Sequence, residues 1–190
     1  FSWWIGPIPE NYLKRSGVYY DGILGVIRFY AGQFLVHPVK RKLAKFYIAF
    51  LKKFFGIRVI GITGSVGKTT TKEMITSVLS QKCRVVSSFA NLDPIYNITR
   101  TILRAAPTTE MLVLEMGVEY PGDMAFYLWL VKPDIGVITS IYWTHTEFLD
   151  GIAGVINEKS GLIKSLGSSD WAVFNLEDPL IEKIKLRTKA

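Results

Sequence analysis

Ten consecutive residues, Gly61-Ile62-Thr63-Gly64-Ser65-Val66-Gly67-Lys68-Thr69-Thr70, carry the chemistry that is easiest to read from this chain. Glycines that free the backbone, followed by Lys-Thr at a helix start, make a cradle for phosphate. In such a cradle Thr63, Gly64, Ser65, Val66, Gly67, Lys68, Thr69 and Thr70 surround the anion. Backbone N–H groups face it, Lys68 reaches the outer phosphates, and the Thr69 hydroxyl is free to hold Mg²⁺. The usual spacing G-x-x-x-x-G-K-[ST] puts its first glycine at position 62, where this chain has Ile62. What stands here is a shorter loop.

A bound metal needs further oxygen ligands at neighbouring strand ends. The apolar run Met111-Leu112-Val113-Leu114 ends in Glu115, where a phosphate-binding enzyme places its Mg²⁺ partner. After the run Ile135-Gly136-Val137-Ile138-Thr139 come His145 and Glu147. A lone histidine after a strand is more often a packing or surface residue than a ligand, and Glu147 receives no role. Lys159 on its own reads as an exposed helix lysine.

These residues need a frame. From Arg58 onward the pattern predicts strands over 58–63, 84–88, 111–115, 135–139 and 171–174, with helices over 67–81, 95–105, 121–130, 152–165 and 178–186. That alternation predicts an α/β fold: a mostly parallel sheet flanked by helices, P-loop NTPase-like, with ligands at the carboxyl ends of the strands.

The first 56 residues differ in character. Residues 1–60 hold ten of the 23 Lys and Arg but only two of the 16 acids, so the net charge of +7 belongs to the N-terminal segment. No basic stripe spans the rest, which argues against a nucleic-acid partner. Residues 38–55 predict an amphipathic helix, with Leu43, Phe46, Tyr47, Phe50, Leu51 and Phe54 at helical spacing among lysines. Such a basic aromatic helix suits a membrane surface, with Trp3, Trp4, Tyr19 and Tyr20 as interfacial anchors. The competing reading is a helical pair that packs its aromatic face on the neighbouring domain or a missing one. The run 22–36 carries Arg28 and is short for a span. The single Cys83 leaves no intramolecular disulfide and fits a reducing cytosol. The expected layout is a basic segment over 1–56, then a nucleotide-binding domain over 57–190 that is incomplete. The start at Phe1 and the stop in a charged run both read as cuts.

Thr63-Gly64-Ser65-Val66-Gly67-Lys68-Thr69-Thr70-Thr71 resembles the short phosphate loop of the Mur ligases, ATP-dependent amide-forming enzymes of cell-wall precursor synthesis. Leu114-Glu115-Met116-Gly117 with Pro121-Gly122-Asp123 looks like the branch that adds D-alanyl-D-alanine. Lys132-Pro133-Asp134, then His145 and Glu147, then Glu158-Lys159-Ser160-Gly161, and finally Asn175-Leu176-Glu177-Asp178 continue the resemblance in order. It implies ATP and two Mg²⁺ ions. Lys68 would bind the β- and γ-phosphates, and Thr69 with Glu115 would hold the ion that bridges them. His145 would join Glu115 at a second ion, and Lys159 matches a lysine that the family carbamylates. The implied partners are a UDP-MurNAc-peptide and D-alanyl-D-alanine or an amino acid. The implied location is the cytoplasm, or the inner face of the cytoplasmic membrane.

The departures are specific. Asp93 and Pro94 stand where the family shows amides, and Ser140 replaces an asparagine. The family's N-terminal substrate domain and C-terminal domain are not recognisable, so this fragment alone is expected to bind ATP·Mg weakly and not to ligate. Two other readings compete. One is a related ligase acting on a lipid-linked wall precursor, and the other is a non-catalytic, membrane-tethered nucleotide-binding module. A GTPase would carry Asn-Lys-x-Asp, which this sequence lacks.

Overall fold

A computed structural model describes residues 22–89, 94–144, 146–185 and 190. His145, Asn91, Asp93, Trp3, Trp4, Tyr19 and Tyr20 lie outside the described residues.

The β-branched run Arg58–Thr63 forms strand β1 and is buried after its first residue. A run apolar on both faces is what the centre of a parallel sheet requires. Around it stand β2 (Val85–Ser87), β3 (Met111–Glu115), β4 (Ile135–Ile138) and β5 (Trp171–Phe174), in the order β2-β3-β1-β4-β5. All four pairings are parallel. Chain order reverses beside β1, so a crevice opens at its carboxyl end. The register pairs Ile62 with Glu115 and Thr63 with Ile138 there, bringing the ends of three strands together.

Helices cover both faces. In chain order they are α1 (Gly22–Ala31), α2 (His37–Phe55), α3 (Lys68–Leu79), α4 (Pro94–Arg104), α5 (Asp123–Leu130), α6 (Gly151–Lys164) and the short α7 (Glu182–Lys185), with a π-helical turn over Gly32–Val36. Ile75 and Leu79 of α3 pack on Ile60, Ile62, Val113 and Val137. The larger core gathers residues of α2, α4, α5 and α6. Helix α6 lies close to the sheet because Gly61 and Gly136 leave room for it. A Cβ at Gly61 would fall 3.2 Å from Leu162 Cδ1, and one at Gly136 3.3 Å from Ile163 Cδ1.

The predicted elements match the sheet closely, and two ends differ. The C-terminal helix, expected from 178, starts at Glu182. Asp178 turns the chain instead: its carboxylate accepts from Leu180 N at 2.9 Å and from Ile141 N at 2.6 Å. The helix expected from 121 starts at Asp123, after Gly122 in a left-handed conformation (φ 88°).

Helix α2 is amphipathic, but its buried stripe is not its aromatic one. Ala44, Ile48 and Leu51 enter the core with Arg41, whose guanidinium lies over the Phe126 ring at 5.1 Å. Small and aliphatic side chains let the helix approach closely. Leu43, Phe46, Phe50 and Phe54 stay exposed. Polar ties hold it in place: Tyr47 Oη donates to Ala105 O at 2.7 Å, and Lys52 pairs with Asp134 at 2.8 Å. Among the described residues no helix is long and apolar enough to cross a membrane.

Candidate functional site

The loop between β1 and α3 is laced to the end of β4. Ser65 N donates to Ser140 O at 2.8 Å and Val66 N to Ser140 Oγ at 3.1 Å, while Thr139 Oγ1 donates to Val66 O at 2.6 Å. Thr63 Oγ1 donates to Met116 O at 2.8 Å, tying the loop to the end of β3 as well. Gly64 has φ 149°, and a Cβ there would fall 2.0 Å from Thr139 Oγ1. Only glycine fits that turn. With Ser65 and Val66 bonded to Ser140, the groups left to meet an anion are the first N–H groups of α3, which have no intrahelical acceptor.

Three strand ends and two helices bring the chemically active side chains together. Thr69 Oγ1 donates toward both oxygens of Glu115, at 3.1 and 2.9 Å. Lys68 Nζ donates to Ser65 O at 3.2 Å, folded back over its own loop. Burial lowers the Lys68 pKa, and the charges of Glu115 and Glu119 partly restore it. Lys159 on α6 is fully buried and donates to Ser65 Oγ at 3.0 Å. Burial, and then the Lys68 charge, push the Lys159 ammonium down to about 8. Ser65, Lys68, Thr69, Glu115 and Lys159 thus form one connected group, with Gly64, Val66, Gly67 and Thr70 in the same turn. His145 is outside the described residues.

Other residues support this group without announcing themselves in the sequence. Lys72, one turn beyond Lys68, is wholly buried; its Nζ donates to Ser88 O at 2.8 Å and lies 2.9 Å from Glu73 and 4.0 Å from Glu115. Ser88 Oγ in turn accepts from Glu115 N at 3.0 Å. Glu158, next to Lys159, accepts from Gly122 N at 3.1 Å and from Met124 N at 3.3 Å, capping α5. Two sequence motifs separated by thirty-six residues therefore meet in space. In the sequence Lys72 is only a lysine one helical turn after Lys68, which cannot be told from a surface lysine.

Among the described residues, no three His, Cys, Asp or Glu side chains gather as a metal cage. One carboxylate converging with one hydroxyl is instead the donor set of an Mg²⁺ shared between protein and phosphates. Thr69 and Glu115 fit that role through their hard oxygens.

Residues 62–190 match the model of the Mur ligase middle domain. The chain belongs to the Mur ligase family. A UDP-N-acetylmuramoyl-tripeptide--D-alanyl-D-alanine ligase of Bacillus subtilis is 36% identical over 142 residues, covering 75% of this chain and 30% of that protein. The enzyme of the same name from Borreliella burgdorferi is 37% identical over 122 residues, covering 64% of this chain and 26% of that protein. Among solved structures, the MurF ligase from Thermotoga maritima in complex with ADP superposes with a TM-score of 0.72 at 30% identity, covering 80% of this chain and 35% of that one. This chain therefore spans less than a third of the curated relatives it matches. The branch resemblance at Leu114–Gly117 agrees with the names these relatives carry.

Proposed function

We propose that this domain is the ATP-binding part of a ligase that forms an amide bond between D-alanyl-D-alanine and a UDP-MurNAc-tripeptide. The observation that carries the reading is the Thr69–Glu115 pair beside Lys68 at the N-terminus of α3. It is supported by the family match and by the relatives' names.

The chemistry balances. A carboxylate oxygen of the acceptor attacks the γ-phosphorus of ATP, the bond to the bridging oxygen breaks, and ADP leaves with that electron pair. The acyl phosphate formed is then attacked by the amine, which loses a proton as the tetrahedral adduct expels phosphate. Lys68 and the N–H groups opening α3 place positive charge against the transferring phosphoryl group. Thr69 and Glu115 would hold one Mg²⁺, and Glu115, His145 and Lys159 a second. Bound Mg²⁺ supplies charge neutralisation at the phosphate oxygens.

Lys159 serves that set as a carbamate. Its amine, with a pKa of about 8, is partly neutral near physiological pH and can add to CO₂, losing one proton and becoming an anionic oxygen ligand. The positive Lys68 nearby favours that anion.

The N-terminal segment adds a peripheral membrane contact on the cytoplasmic side. Leu43, Phe46, Phe50 and Phe54 are exposed, and residues 22–72 contain no Asp or Glu. This same observation favours a second reading, in which the acceptor is a lipid-linked wall precursor rather than a soluble nucleotide-linked one.

The first test is calorimetric titration of this chain with ATP, with and without Mg²⁺. Mg²⁺-dependent binding that is lost in Lys68→Ala supports the reading, and no binding at millimolar ATP sinks it. Turnover of the longer protein on UDP-linked against lipid-linked acceptors separates the two substrates. A non-catalytic module would keep its function after Lys159→Ala and His145→Ala, whereas a ligase loses it.

A further inference from the structure

Away from the phosphate loop, a cleft of about 480 Å³ opens between α2 and α4. Helix α2 contributes His37, Lys40 and Arg41 from one face, and α4 contributes Arg100 and Arg104, one turn apart. Five basic side chains therefore line one cavity, and among the described residues no Asp or Glu lines it. Basic side chains gathered in one cleft make it attractive to an anion.

The arrangement is partly set in advance. The Arg41 guanidinium is buried over Phe126, and those of Arg104 and Arg100 lie over the Phe89 ring at 4.3 and 5.0 Å. Stacking of this kind orients a guanidinium and lowers the entropy lost on binding an anion. Thr99 also lines the cleft, with its hydroxyl buried. The rim carries an apolar surface in Leu103, and the volume exceeds what one phosphate fills.

We propose that this cleft is a second anion site that binds the diphosphate group of an organic diphosphate, separate from the nucleotide at the phosphate loop. Arg41, Arg100, Arg104 and Lys40 supply charge, and Leu103 meets the organic part. Both nucleoside-linked and lipid-linked diphosphates carry this chemistry. The site does not rest on the ligase reading, because none of its lining residues belongs to the phosphate loop.

His37 reports on occupancy. Its pKa is lowered by burial and by the charges of Arg41 and Lys40, and its ring lies 5.2 Å from that of Tyr96. An anion bound among Lys40, Arg41, Arg100 and Arg104 must raise it. The chain has two histidines, so His37 is assigned in an NMR titration by its loss in His37→Gln. The titration uses the Lys68→Ala chain, which keeps phosphate-loop binding out of the signal.

Inorganic pyrophosphate is expected to raise the His37 pKa saturably. Removing two guanidinium contacts with Arg100→Gln/Arg104→Gln, both exposed, is expected to weaken that effect about tenfold or more. A His37 pKa unmoved by millimolar pyrophosphate, or equal pyrophosphate affinity in the double variant, overturns the site. UDP and geranyl diphosphate then identify the source. Tighter binding of the first assigns a nucleoside-linked ligand, and of the second a lipid-linked one. Binding of both no tighter than pyrophosphate overturns the organic part of the proposal.

Discussion

Lys159 Nζ donates to Ser65 Oγ at 3.0 Å, joining helix α6 to the phosphate loop across 94 positions of chain. The Ser65 hydroxyl also accepts from Tyr142 N at 2.8 Å, so one side-chain oxygen ties α6, the loop and the segment after β4. The loop is held from outside as well as by its own turn.

A buried cation in that position makes stability depend on pH. The folded pKa of Lys159 is about 8 against an ordinary value of 10.5, so between these values the unfolded chain binds more protons. Stability contributed by this group therefore rises as pH increases from about 8 to 10.5, and below 8 the folded state carries the full cost of the charge. Urea denaturation in CO₂-free buffer should show a rise of about 3 kcal/mol across the window, absent in Lys159→Met. Parallel pH profiles for the two proteins would refute the assignment. Added bicarbonate should stabilise the parent chain near pH 8 and leave Lys159→Met unchanged, if the carbamate forms.

Glu115→Gln keeps the shape of the side chain and an oxygen to accept from Thr69, and it removes the charge. The Mg²⁺-dependent gain in ATP affinity should fall about tenfold or more, while Mg²⁺-free binding holds or improves because an anion facing the phosphates is gone. Calorimetry of both forms measures the difference. An undiminished Mg²⁺ effect would remove Glu115 from the metal site.

The sequence showed most of what local chemistry specifies. Glycine and Lys-Thr at a strand-to-helix turn announce the loop, and an apolar strand ending in Glu115 announces its partner, because each signal lies within a few residues along its own stretch of chain. The supports were hidden because they are contacts across the chain. Ser140, named in the sequence as a missing asparagine, holds the loop through its backbone and hydroxyl, and Asp178 turns the chain ahead of the last helix by bonding Ile141 N and Leu180 N. The buried face of α2 was hidden for another reason. Helical spacing marks the aromatic stripe, while the face that enters the core beside α4 and α5 carries Ala44, Ile48 and Leu51, and Phe46 stays exposed.

Lys72→Met tests one of those hidden supports. Methionine matches the volume of the buried stem but leaves Ser88 O without its donor and removes a cation 4.0 Å from Glu115. The loss should be about 1–3 kcal/mol in nucleotide-free stability. Nucleotide affinity should weaken further, since Glu115 is then less well anchored. Unchanged denaturation midpoints would show that Ser88 finds another donor.

The exposed face of α2 gives the last test, of contact with an anionic bilayer. Phe46 and Phe54 are 70% and 64% exposed, and Lys53 lies 5.5 Å from the Phe54 ring. Aromatic side chains entering an interface and lysines facing anionic headgroups contribute separately, the lysines by roughly 1 kcal/mol each. Co-sedimentation with vesicles containing phosphatidylglycerol should exceed that with neutral vesicles and fall as salt is raised. Phe46→Ser/Phe50→Ser/Phe54→Ser should lower vesicle affinity roughly a hundredfold while leaving the unfolding midpoint in place, because none of the three is in the core. Lys40→Gln/Lys53→Gln should weaken binding to anionic vesicles alone. Equal binding of the triple-serine variant and the parent chain would mean that this face meets protein rather than lipid.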